Sequence, residues 1–471
     1  MKIYGEDLDK IKRIISERNI VVGIVGLGRI GLIIASAFLN KNFRVVGYDI
    51  EPERILENIY LGSVELHPEE IVREIIVSSY NKKRLSIRSI DEISKETSDI
   101  YIIIVPVNWV GDKPDFEPLK RASEAVGGVL SKGDLVVVES SVPPGTTRGL
   151  VAKILEKKSG LVAGRDFGLA YSPERVSIGR GFYDLTRNYP KIVAGIDNHS
   201  LEIVSLIYSE ISEKGVLRAS SLEVAEFEKL AEGIYRDVNI ALANSLAEIA
   251  RRIGLDFWEI RELANSQPYS HIHAPGVGVG GVCLPYYPRF LLWYLSSIDE
   301  NKCWCSELIA LAREINTDQP RRVVDLVLEG SKIIGIEDLY RSKVCVLGLS
   351  YRGDIPDTRE SPTYYISREL VSRGFSEIVI HDPFVARDDF LEKIGVSLTN
   401  DLRECLSNSK IIISATDHRV YKDLSTNHIK HLSGEKKILI IDGRNIIKYS
   451  PETDDSRKCL YGGVGKKWMW C

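Results

Sequence analysis

Residues 20–39 read IVVGIVGLGRIGLIIASAFL, which is an apolar run, a glycine-rich turn and a second apolar stretch. Gly26, Gly28 and Gly31 have the spacing of the turn between the first strand and first helix of a dinucleotide-binding fold. There the first glycine permits a tight bend, the second admits a pyrophosphate, and the third lets the helix pack on the strand. Asp49 ends the next apolar run, about 20 residues on, where a carboxylate accepts ribose hydroxyls. An acid repels a 2′-phosphate, so this stretch predicts an NAD site.

The same alternation of strand and helix patterns continues along much of the chain. Runs rich in Val and Ile alternate with amphipathic stretches to about residue 216, and again from Lys343 onward. Between them, apolar residues recur at helical spacing from Ser221 to about Gly254, and more helix is expected from Phe290 through Arg313. We therefore predict an α/β protein with two Rossmann-like doubly wound domains joined by a long central helical segment. The predicted domains are residues 1–215, 216–325 and 326–471.

Composition limits the classes of partner. The 471 residues are 44% apolar and 27% charged, with a formal net charge of −4, as in a well-cored globular protein. This charge gives no reason to expect nucleic acid or an anionic membrane as a partner. The first residues lack the apolar core of a signal peptide, and the densest apolar stretches are too short to span a bilayer. The expected location is the cytoplasm.

The cysteines give little sign of a metal site or a disulfide framework. There are seven, an odd number without regular spacing, and Cys303 and Cys305 have too few partners nearby for zinc. We expect no metal. Met and Gln are scarce while Lys, Arg and Glu are plentiful, a bias typical of thermophiles. Intracellular disulfides occur in such organisms, so a Cys459–Cys471 bond stays open.

A second glycine-rich segment, PGVGVGGVCLP at 275–285, has no strand before it. Its glycines, including Gly278 and Gly280, favour a backbone that folds closely around a ligand. Cys283 ends the glycine run, just before a helix start predicted at Pro285 and Pro288. A thiol near a helix N-terminus ionises more readily and can attack an aldehyde carbonyl. The alternative is a buried structural cysteine.

Lys229 lies on the long predicted helix among apolar neighbours, and Gly233 and Arg236 share its face. A partly buried lysine could stabilise an oxyanion or transfer a proton. The alternative is a surface lysine beside Glu226 and Glu228.

Nine segments, in order along nearly the whole chain, together resemble one family, the nucleotide-sugar dehydrogenases that oxidise UDP-sugars to UDP-uronates. The subgroup acting on UDP-N-acetylmannosamine looks nearest. The segments are GLGRIGL (26–32), GDLVVVESSVPPGTT (133–147), YSPERV (171–176), RDVNIALAN (236–244), PGVGVGGVCLP (275–285), AREIN (312–316), YRGDIPDTRESP (351–362), TDHRVY (416–421) and IDGRN (441–445).

The resemblance implies an NAD cofactor, a UDP-sugar held by the C-terminal domain, and a homodimer formed by the helical middle. It implies a role for each matching residue. The implied catalytic residues are Cys283 as nucleophile, Lys229 for the oxyanion, Glu174 for acid–base or water handling, and Ser141 for cofactor and water. The implied cofactor contacts are Gly26, Gly28, Arg29, Ile30, Gly31, Asp49, Pro106, Ser141 and Arg359. The implied substrate contacts are Glu174, Arg175, Lys229, Arg236, Gly278, Gly280, Tyr351 and Arg352.

The implied reaction is a four-electron oxidation. The sugar 6-hydroxyl loses a hydride to NAD, and Cys283 adds to the aldehyde as a thiohemiacetal. A second hydride leaves to a second NAD, and the thioester is hydrolysed to the carboxylate. A uronate product suits surface polysaccharide or glycan synthesis.

The chain also departs from the family pattern near the chemistry. Gly233 stands where the family usually has Asn, and Tyr287 where it has Asp. Val282 replaces a His common in the acetylmannosamine subgroup, and arginines usual near Ser266 and Tyr269 are absent. One alternative is therefore a divergent member that binds NAD and nucleotide sugar without full oxidation. Another stops at the aldehyde or thioester, and a 2-hydroxy acid dehydrogenase is a further option. Asp237 and Glu232 are candidates to replace the missing carboxylate.

Overall fold

The computed structural model describes residues 2–63, 65–298, 304–451 and 457–471. The chain divides into two compact units, Met1–Glu232 with Trp293–Ile298, and Gly233–Leu292 with Asp299–Cys471. The boundary between Glu232 and Gly233 lies inside the helix Leu222–Arg252. Each unit has its own large sheet. The three-domain boundaries drawn from the sequence stay a prediction.

The first unit is a doubly wound sheet. Its order is 10-9-8-7-4-1-2-3 by strand number, and all neighbours from strand 8 to strand 3 pair in parallel. Strand 9 is antiparallel to strand 8, and strands 5 and 6 form a separate hairpin. The central order 3-2-1-4 is that of the dinucleotide-binding fold. The strands are β1 (Val21–Val25), β2 (Arg44–Asp49), β3 (Leu85–Ser89), β4 (Ile100–Ile103), β5 (Asn108–Val110), β6 (Lys113–Asp115), β7 (Leu135–Val138), β8 (Gly168–Tyr171), β9 (Lys191–Gly195) and β10 (Val216–Arg218).

The second unit repeats this plan. Its sheet has the order 13-12-11-14-15-16-17, parallel throughout except for the last strand. The strands are β11 (Lys343–Leu347), β12 (Ile378–His381), β13 (Ser397–Thr399), β14 (Ser409–Ser414), β15 (Ile438–Asp442), β16 (Cys459–Gly463) and β17 (Lys466–Trp470).

Helices follow most of the strands, and a block of longer helices separates the two strand-rich parts of the sequence. Within the described residues, no helix is long and apolar enough to cross a membrane. The helices are α1 (Leu8–Ser16), α2 (Arg29–Asn40), α3 (Pro52–Leu61), α4 (Glu70–Asn81), α5 (Glu117–Val129), α6 (Ala152–Ser159), α7 (Gly181–Tyr183), α8 (Asn198–Ile211), α9 (Leu222–Arg252), α10 (Phe257–Ala264), α11 (Cys283–Ile298), α12 (Glu307–Ile334), α13 (Pro362–Ser372), α14 (Asp389–Lys393), α15 (Leu402–Leu406) and α16 (Thr426–Ser433).

Both faces of each sheet are covered, which explains the continuous apolar strands in the sequence. In the first unit, Val22 and Ile24 pack with Phe38 of α2 on one face. On the other face, Val136 packs in the cluster that contains Val126 of α5. The second sheet has a buried cluster on each face in the same way. The predicted fold class, two doubly wound domains and a long central helical segment, is confirmed.

Some boundaries differ from the sequence prediction. Cys283 itself begins α11, so Pro285 occupies the third helical position and Pro288 lies inside the helix. A proline at the third position loses no bond, because the first four helical N–H groups have no partner within the helix. The helix expected from Phe290 through Arg313 is the end of α11 and the start of α12, and residues 299–303, including Cys303, lie outside the described residues.

Disulfides join two pairs of described cysteines in the second unit. The Cys459–Cys471 bond, which the sequence left open, is present, and so is Cys345–Cys405. The expectation of no disulfide framework was wrong for Cys345 and Cys405, because packing of α15 on β11 brings together residues 60 apart in sequence. All four cysteines are buried in one apolar cluster. In the described part of the chain, no group of three or more His, Cys, Asp or Glu side chains is placed to hold a metal ion.

Replacing both Cys345 and Cys405 by alanine is expected to lower the free energy of unfolding by about 4 kcal/mol. The same change at Cys459 and Cys471 should cost about 3 kcal/mol, because a shorter loop closed by the bond restricts the unfolded chain less. The measurement is thermal unfolding of both double variants under non-reducing conditions. Melting temperatures equal to that of the parent protein would contradict this prediction.

Candidate active site

The glycine turn after β1 has the backbone geometry that the sequence predicts. Gly26 has a φ of +100°, and a Cβ added to it would lie 2.5 Å from the carbonyl oxygen of Ile104. Its N–H donates to the carbonyl oxygen of Tyr48 at 2.8 Å. A Cβ on Gly31 would overlap the carbonyl oxygen of Gly26. Both positions therefore need glycine for the packing of the protein itself.

Gly28 is a glycine for a different reason. Its φ of −67° suits any residue, and an added Cβ would meet no atom within 4 Å. Gly28 is the N-cap of α2, so the open space lies next to the first-turn N–H groups of Arg29 and Ile30. Such a helix start binds phosphate oxygens. These residues fit the pyrophosphate of NAD.

Asp49 ends β2 beside this turn. One carboxylate oxygen accepts the Leu27 N–H at 2.6 Å and the other accepts the Glu51 N–H at 3.0 Å. A carboxylate has about four acceptor positions, so Asp49 retains capacity for ribose hydroxyls. Its charge also disfavours a 2′-phosphate at this position.

The loops after β4 and β7 bring two more predicted residues to the same edge of the sheet, because the carboxyl ends of parallel strands share one edge. The Ser140 hydroxyl donates to the Val105 carbonyl oxygen at 2.7 Å and accepts the Val105 N–H at 3.0 Å. This pair of bonds joins the loop that carries Pro106 to the loop that carries Ser141. Pro106 is exposed and Ser141 is partly exposed. The predicted cofactor positions of this unit thus gather at one edge.

Glu174 is part of a buried charge cluster. Lys191 Nζ lies 2.6 Å from a Glu174 oxygen and 3.0 Å from a Glu139 oxygen, and the Tyr208 hydroxyl donates to Glu139. Burial raises the pKa of Glu139. Burial disfavours the Lys191 charge, but the two carboxylates outweigh it and raise the pKa of Lys191. Glu174 therefore lies beside a fixed positive charge. The sequence did not reveal this pair, because Lys191 is 17 residues from Glu174 and on a different element.

Arg175 links the Glu174 loop to α9. Its guanidinium lies 3.2 Å from Glu232 and 3.9 Å from Glu228, and it donates to the Pro190 carbonyl oxygen at 2.6 Å. Glu228 has a buried oxygen without a hydrogen-bond partner. Burial and the nearby Glu232 carboxylate raise the pKa of Glu228. Lys229, the next residue, is partly buried rather than a fully exposed surface lysine.

Glu226, also on α9, fixes the loop that follows Ser141. Its two carboxylate oxygens accept the N–H groups of Gly145 at 2.5 Å and Thr147 at 2.8 Å. Its side chain is buried, and burial raises the pKa of Glu226 from 4.5 to about 7.

This shift predicts a pH dependence of stability. Between pH 4.5 and 7 the folded protein keeps a proton on Glu226 that the unfolded chain loses. The free energy of unfolding should therefore fall as the pH rises through this window, by about 3 kcal/mol for this one group. The measurement is urea unfolding of the parent protein and of Glu226→Gln, each at pH 5 and pH 8. From pH 5 to pH 8 the free energy of unfolding of the parent should fall more than that of the variant. A difference that is the same at both pH values would count against this explanation.

In the second unit, the segment before α11 is packed against protein rather than open to a ligand on all sides. The Gly281 N–H donates to the Arg359 carbonyl oxygen at 2.9 Å. A Cβ on Gly280 would lie 2.6 Å from the Tyr351 Cβ, and one on Gly278 would lie 3.1 Å from Pro362. The close approach thus involves the loop 351–362, which carries the predicted substrate contacts Tyr351 and Arg352.

Cys283 is the first residue of the 16-residue helix α11. It is exposed and is not in a disulfide, so the alternative of a buried structural cysteine is wrong. Its sulfur is close enough to Tyr351 and Arg359 to affect both electrostatically. An exposed thiol at a helix N-terminus is suited to act as a nucleophile.

The loop 351–362 holds the remaining predicted residues of this unit. Arg359 donates two hydrogen bonds to Asp357, at 2.9 and 2.6 Å, and this pairing raises the pKa of Arg359. Burial raises the pKa of Tyr351. Arg352 is exposed. Tyr351 and Arg359 therefore lie beside Cys283, in the unit that does not contain the NAD turn.

The second sheet has a turn that matches the NAD turn but is closed by protein groups. Gly348 has a φ of +105° and its N–H donates to the His381 carbonyl oxygen at 2.8 Å, as Gly26 does to Tyr48. Asp382, the counterpart of Asp49, accepts the N–H groups of Leu349 and Ser350 and a bond from His418 Nε2. Despite burial, these bonds lower the pKa of Asp382 to about 2. Asp382 is fully buried and so is not available to a ribose.

Each candidate for replacing the missing carboxylate has an ion-pair partner, but one buried oxygen of Asp237 has no hydrogen bond. Asp237 is fully buried, 2.6 Å from Arg313 and 2.9 Å from Asn316 Nδ2. Glu232 is the partner of Arg175. Arg236, a predicted substrate contact, is exposed on α9.

Three family models match in order. They are the NAD binding, central and UDP binding domains of the UDP-glucose/GDP-mannose dehydrogenase family, at residues 20–212, 223–318 and 345–449. UDP-N-acetyl-D-mannosamine dehydrogenase of Pyrococcus horikoshii is 37% identical over 91% of this chain and 96% of its own. UDP-N-acetyl-D-glucosamine 6-dehydrogenase of Salmonella typhi is 32% identical over 89% and 95%.

A solved structure of the P. horikoshii UDP-D-ManNAc dehydrogenase covers 94% of this chain and 99% of its own, with a TM-score of 0.82 and 33% identity. NDP-N-acetyl-D-galactosaminuronic acid dehydrogenase from Methanosarcina mazei Go1 gives a TM-score of 0.81 at 28% identity, covering 98% of each chain. With these matches and the turn geometry, the chain belongs to the UDP-glucose/GDP-mannose dehydrogenase family and is an NAD-dependent oxidoreductase.

Proposed function

We propose that this protein oxidises the 6-hydroxyl of a UDP-sugar to the uronate by two hydride transfers, with UDP-N-acetyl-D-mannosamine as the first substrate to test. The observation that carries the proposal is Cys283, an exposed thiol at the first position of α11 in a chain with a complete NAD turn. A dehydrogenase that stopped at an aldehyde would not need this nucleophile.

NAD, bound at the Gly26–Gly31 turn, supplies the hydride acceptor. In the first stage the sugar carbon C6 loses a hydride and its hydroxyl loses a proton, which leaves an aldehyde. The Cys283 sulfur then forms a bond to this carbon, and the resulting alkoxide takes up a proton. Loss of a second hydride and of that proton gives the thioester, and water displaces the sulfur to yield the carboxylate. Two NADH form per sugar.

The other predicted residues support these steps. Lys229 stabilises the oxyanion, and Ser141 contacts cofactor and water. Glu174, held against the Lys191 charge, handles the water or its proton. In the second unit, Tyr351 and Arg352 contact the nucleotide sugar.

We further infer a homodimer formed through α9. Tyr235, Leu242 and Ile249 follow one another at intervals of seven residues, which aligns them on one helix face. They are 53%, 51% and 56% exposed. A partner subunit would remove this apolar stripe from water. We place the protein in the cytoplasm, where uronates would serve glycan or surface polysaccharide synthesis.

The test is a coupled assay of the purified protein with NAD and a panel of UDP-hexoses and UDP-N-acetylhexosamines. The expected result is two NADH per sugar consumed, with the uronate as product. No NADH from any member of the panel would exclude the proposal.

One observation favours a second candidate, a member that binds both ligands without complete oxidation. Gly233 and Tyr287 replace two polar residues that the family places near the chemistry. Calorimetry that shows UDP-sugar binding without NADH formation would support this candidate. A covalent adduct on Cys283, seen by intact-protein mass spectrometry with only one NADH formed, would indicate a reaction that stops at the bound intermediate.

A further inference from the structure

Gly233 and Tyr287 touch each other. A Cβ added to Gly233 would overlap the Tyr287 ring carbon Cδ2 and lie 3.1 and 3.2 Å from Cε2 and Cγ. Both residues are buried, and both belong to the second unit. The Tyr287 ring therefore lies directly against the backbone of α9, in space that any side chain at position 233 would need.

This contact sits one helical turn from Cys283. Residues four apart in a helix lie on the same face, so Cys283 and Tyr287 face the same way from the start of α11. Tyr287 is 5% exposed and its ring also packs near Phe290, with centroids 6.5 Å apart. The first turn of α11 is thus seated on α9 through one aromatic ring.

We propose that Gly233 and Tyr287 form a single positioning pair that seats the first turn of α11 on α9 and so holds the Cys283 sulfur in place. The two departures from the family pattern are then one coupled exchange, not two independent losses, because the ring can lie there only when position 233 lacks a side chain. Tyr287 acts through the position of Cys283, which gives it a positioning role. The catalytic consequence rests on the proposed function, whereas the structural coupling does not.

Gly233→Ala is the smallest change that tests the pair. Alanine in a helix interior normally stabilises a protein relative to glycine. Here the added methyl group should push the ring away and lower the melting temperature instead. The second-order rate of Cys283 alkylation by iodoacetamide, followed by peptide mass spectrometry without NAD or sugar, should change at least about fivefold. Gly128→Ala is the matched control, because a Cβ on that helical glycine meets no atom within 4 Å. It should leave the alkylation rate and melting temperature unchanged or slightly improved.

A double-mutant cycle separates coupling from simple damage. In a Tyr287→Ala background, the added methyl group at 233 has no ring to meet, so Gly233→Ala should no longer change the alkylation rate. An equal effect of Gly233→Ala in both backgrounds would overturn the proposal. If Tyr287→Ala does not fold, a wild-type alkylation rate in Gly233→Ala overturns it equally well.

An activity measurement completes the test. If the protein forms NADH with a UDP-sugar, kcat of Gly233→Ala should fall by about tenfold or more, while its affinity for NAD is unchanged. Absence of NADH with the parent protein would dismiss the proposed function, yet the alkylation cycle would still decide whether the pair exists.

Discussion

Replacement of Cys283 by alanine is expected to lower uronate formation by at least about 10³-fold, because its thiol forms the covalent intermediate of the proposed reaction. The exposed sulfur at the start of α11 is the nucleophile of the proposed reaction. Without it the aldehyde cannot become a thioester, and the second hydride transfer is lost. The measurement is uronate formed and NADH per UDP-sugar, each compared with the parent protein.

The disulfide cysteines provide a matched control for this experiment. Alanine at both Cys459 and Cys471 also removes sulfur, but from a buried apolar cluster of the second unit. This double variant should lose stability and keep two NADH per sugar at temperatures where it is folded. Uronate formed by Cys283→Ala at the parental rate would show that the nucleophile is another group.

Gly28→Ala is expected to weaken NAD binding at least about 100-fold while leaving the fold without cofactor nearly unchanged. The added methyl group meets no protein atom within 4 Å, and the φ of −67° is one that alanine adopts freely. It would, however, occupy the space in which the pyrophosphate approaches the start of α2. Calorimetry gives the NAD affinity, and thermal unfolding without NAD gives the stability.

Gly31→Ala shows the opposite behaviour and serves as the comparison. Its methyl group would overlap the Gly26 carbonyl oxygen, so this variant should be destabilised even without NAD. A Gly28→Ala protein that binds NAD with parental affinity would mean that the cofactor phosphates lie elsewhere.

The backbone of the predicted NAD turn could be anticipated from sequence because its parts are local. Gly26, Gly28, Gly31 and Asp49 lie within one strand–helix–strand unit, where spacing alone dictates which atoms face the ligand. The structure confirms the turn: Gly26 has a positive φ, Gly31 has no room for a side chain, and Gly28 leaves open space at the start of α2. The buried apolar strands were equally visible, because a parallel sheet covered on both faces needs continuous Val and Ile runs.

Contacts between segments distant in sequence could not be predicted from the sequence. Lys191 beside Glu174, and the bond between Cys345 and Cys405, join residues from different elements and carry no spacing signal. The strands Leu85–Ser89 and Lys466–Trp470 include partly exposed residues, so neither has the continuous apolar pattern of the central strands.

By itself the sequence determined the fold class and the glycine-rich turn after the first strand, and it singled out Cys283 as the candidate nucleophile, since each depends on neighbours within a few residues or one repeating unit. Only the tertiary structure decided what surrounds those groups. It buried Asp382 and left Asp49 partly exposed, although each carboxylate accepts a backbone N–H group from the glycine turn beside it. It also placed the Tyr287 ring against Gly233, a contact that depends on distance in space and not on separation along the chain.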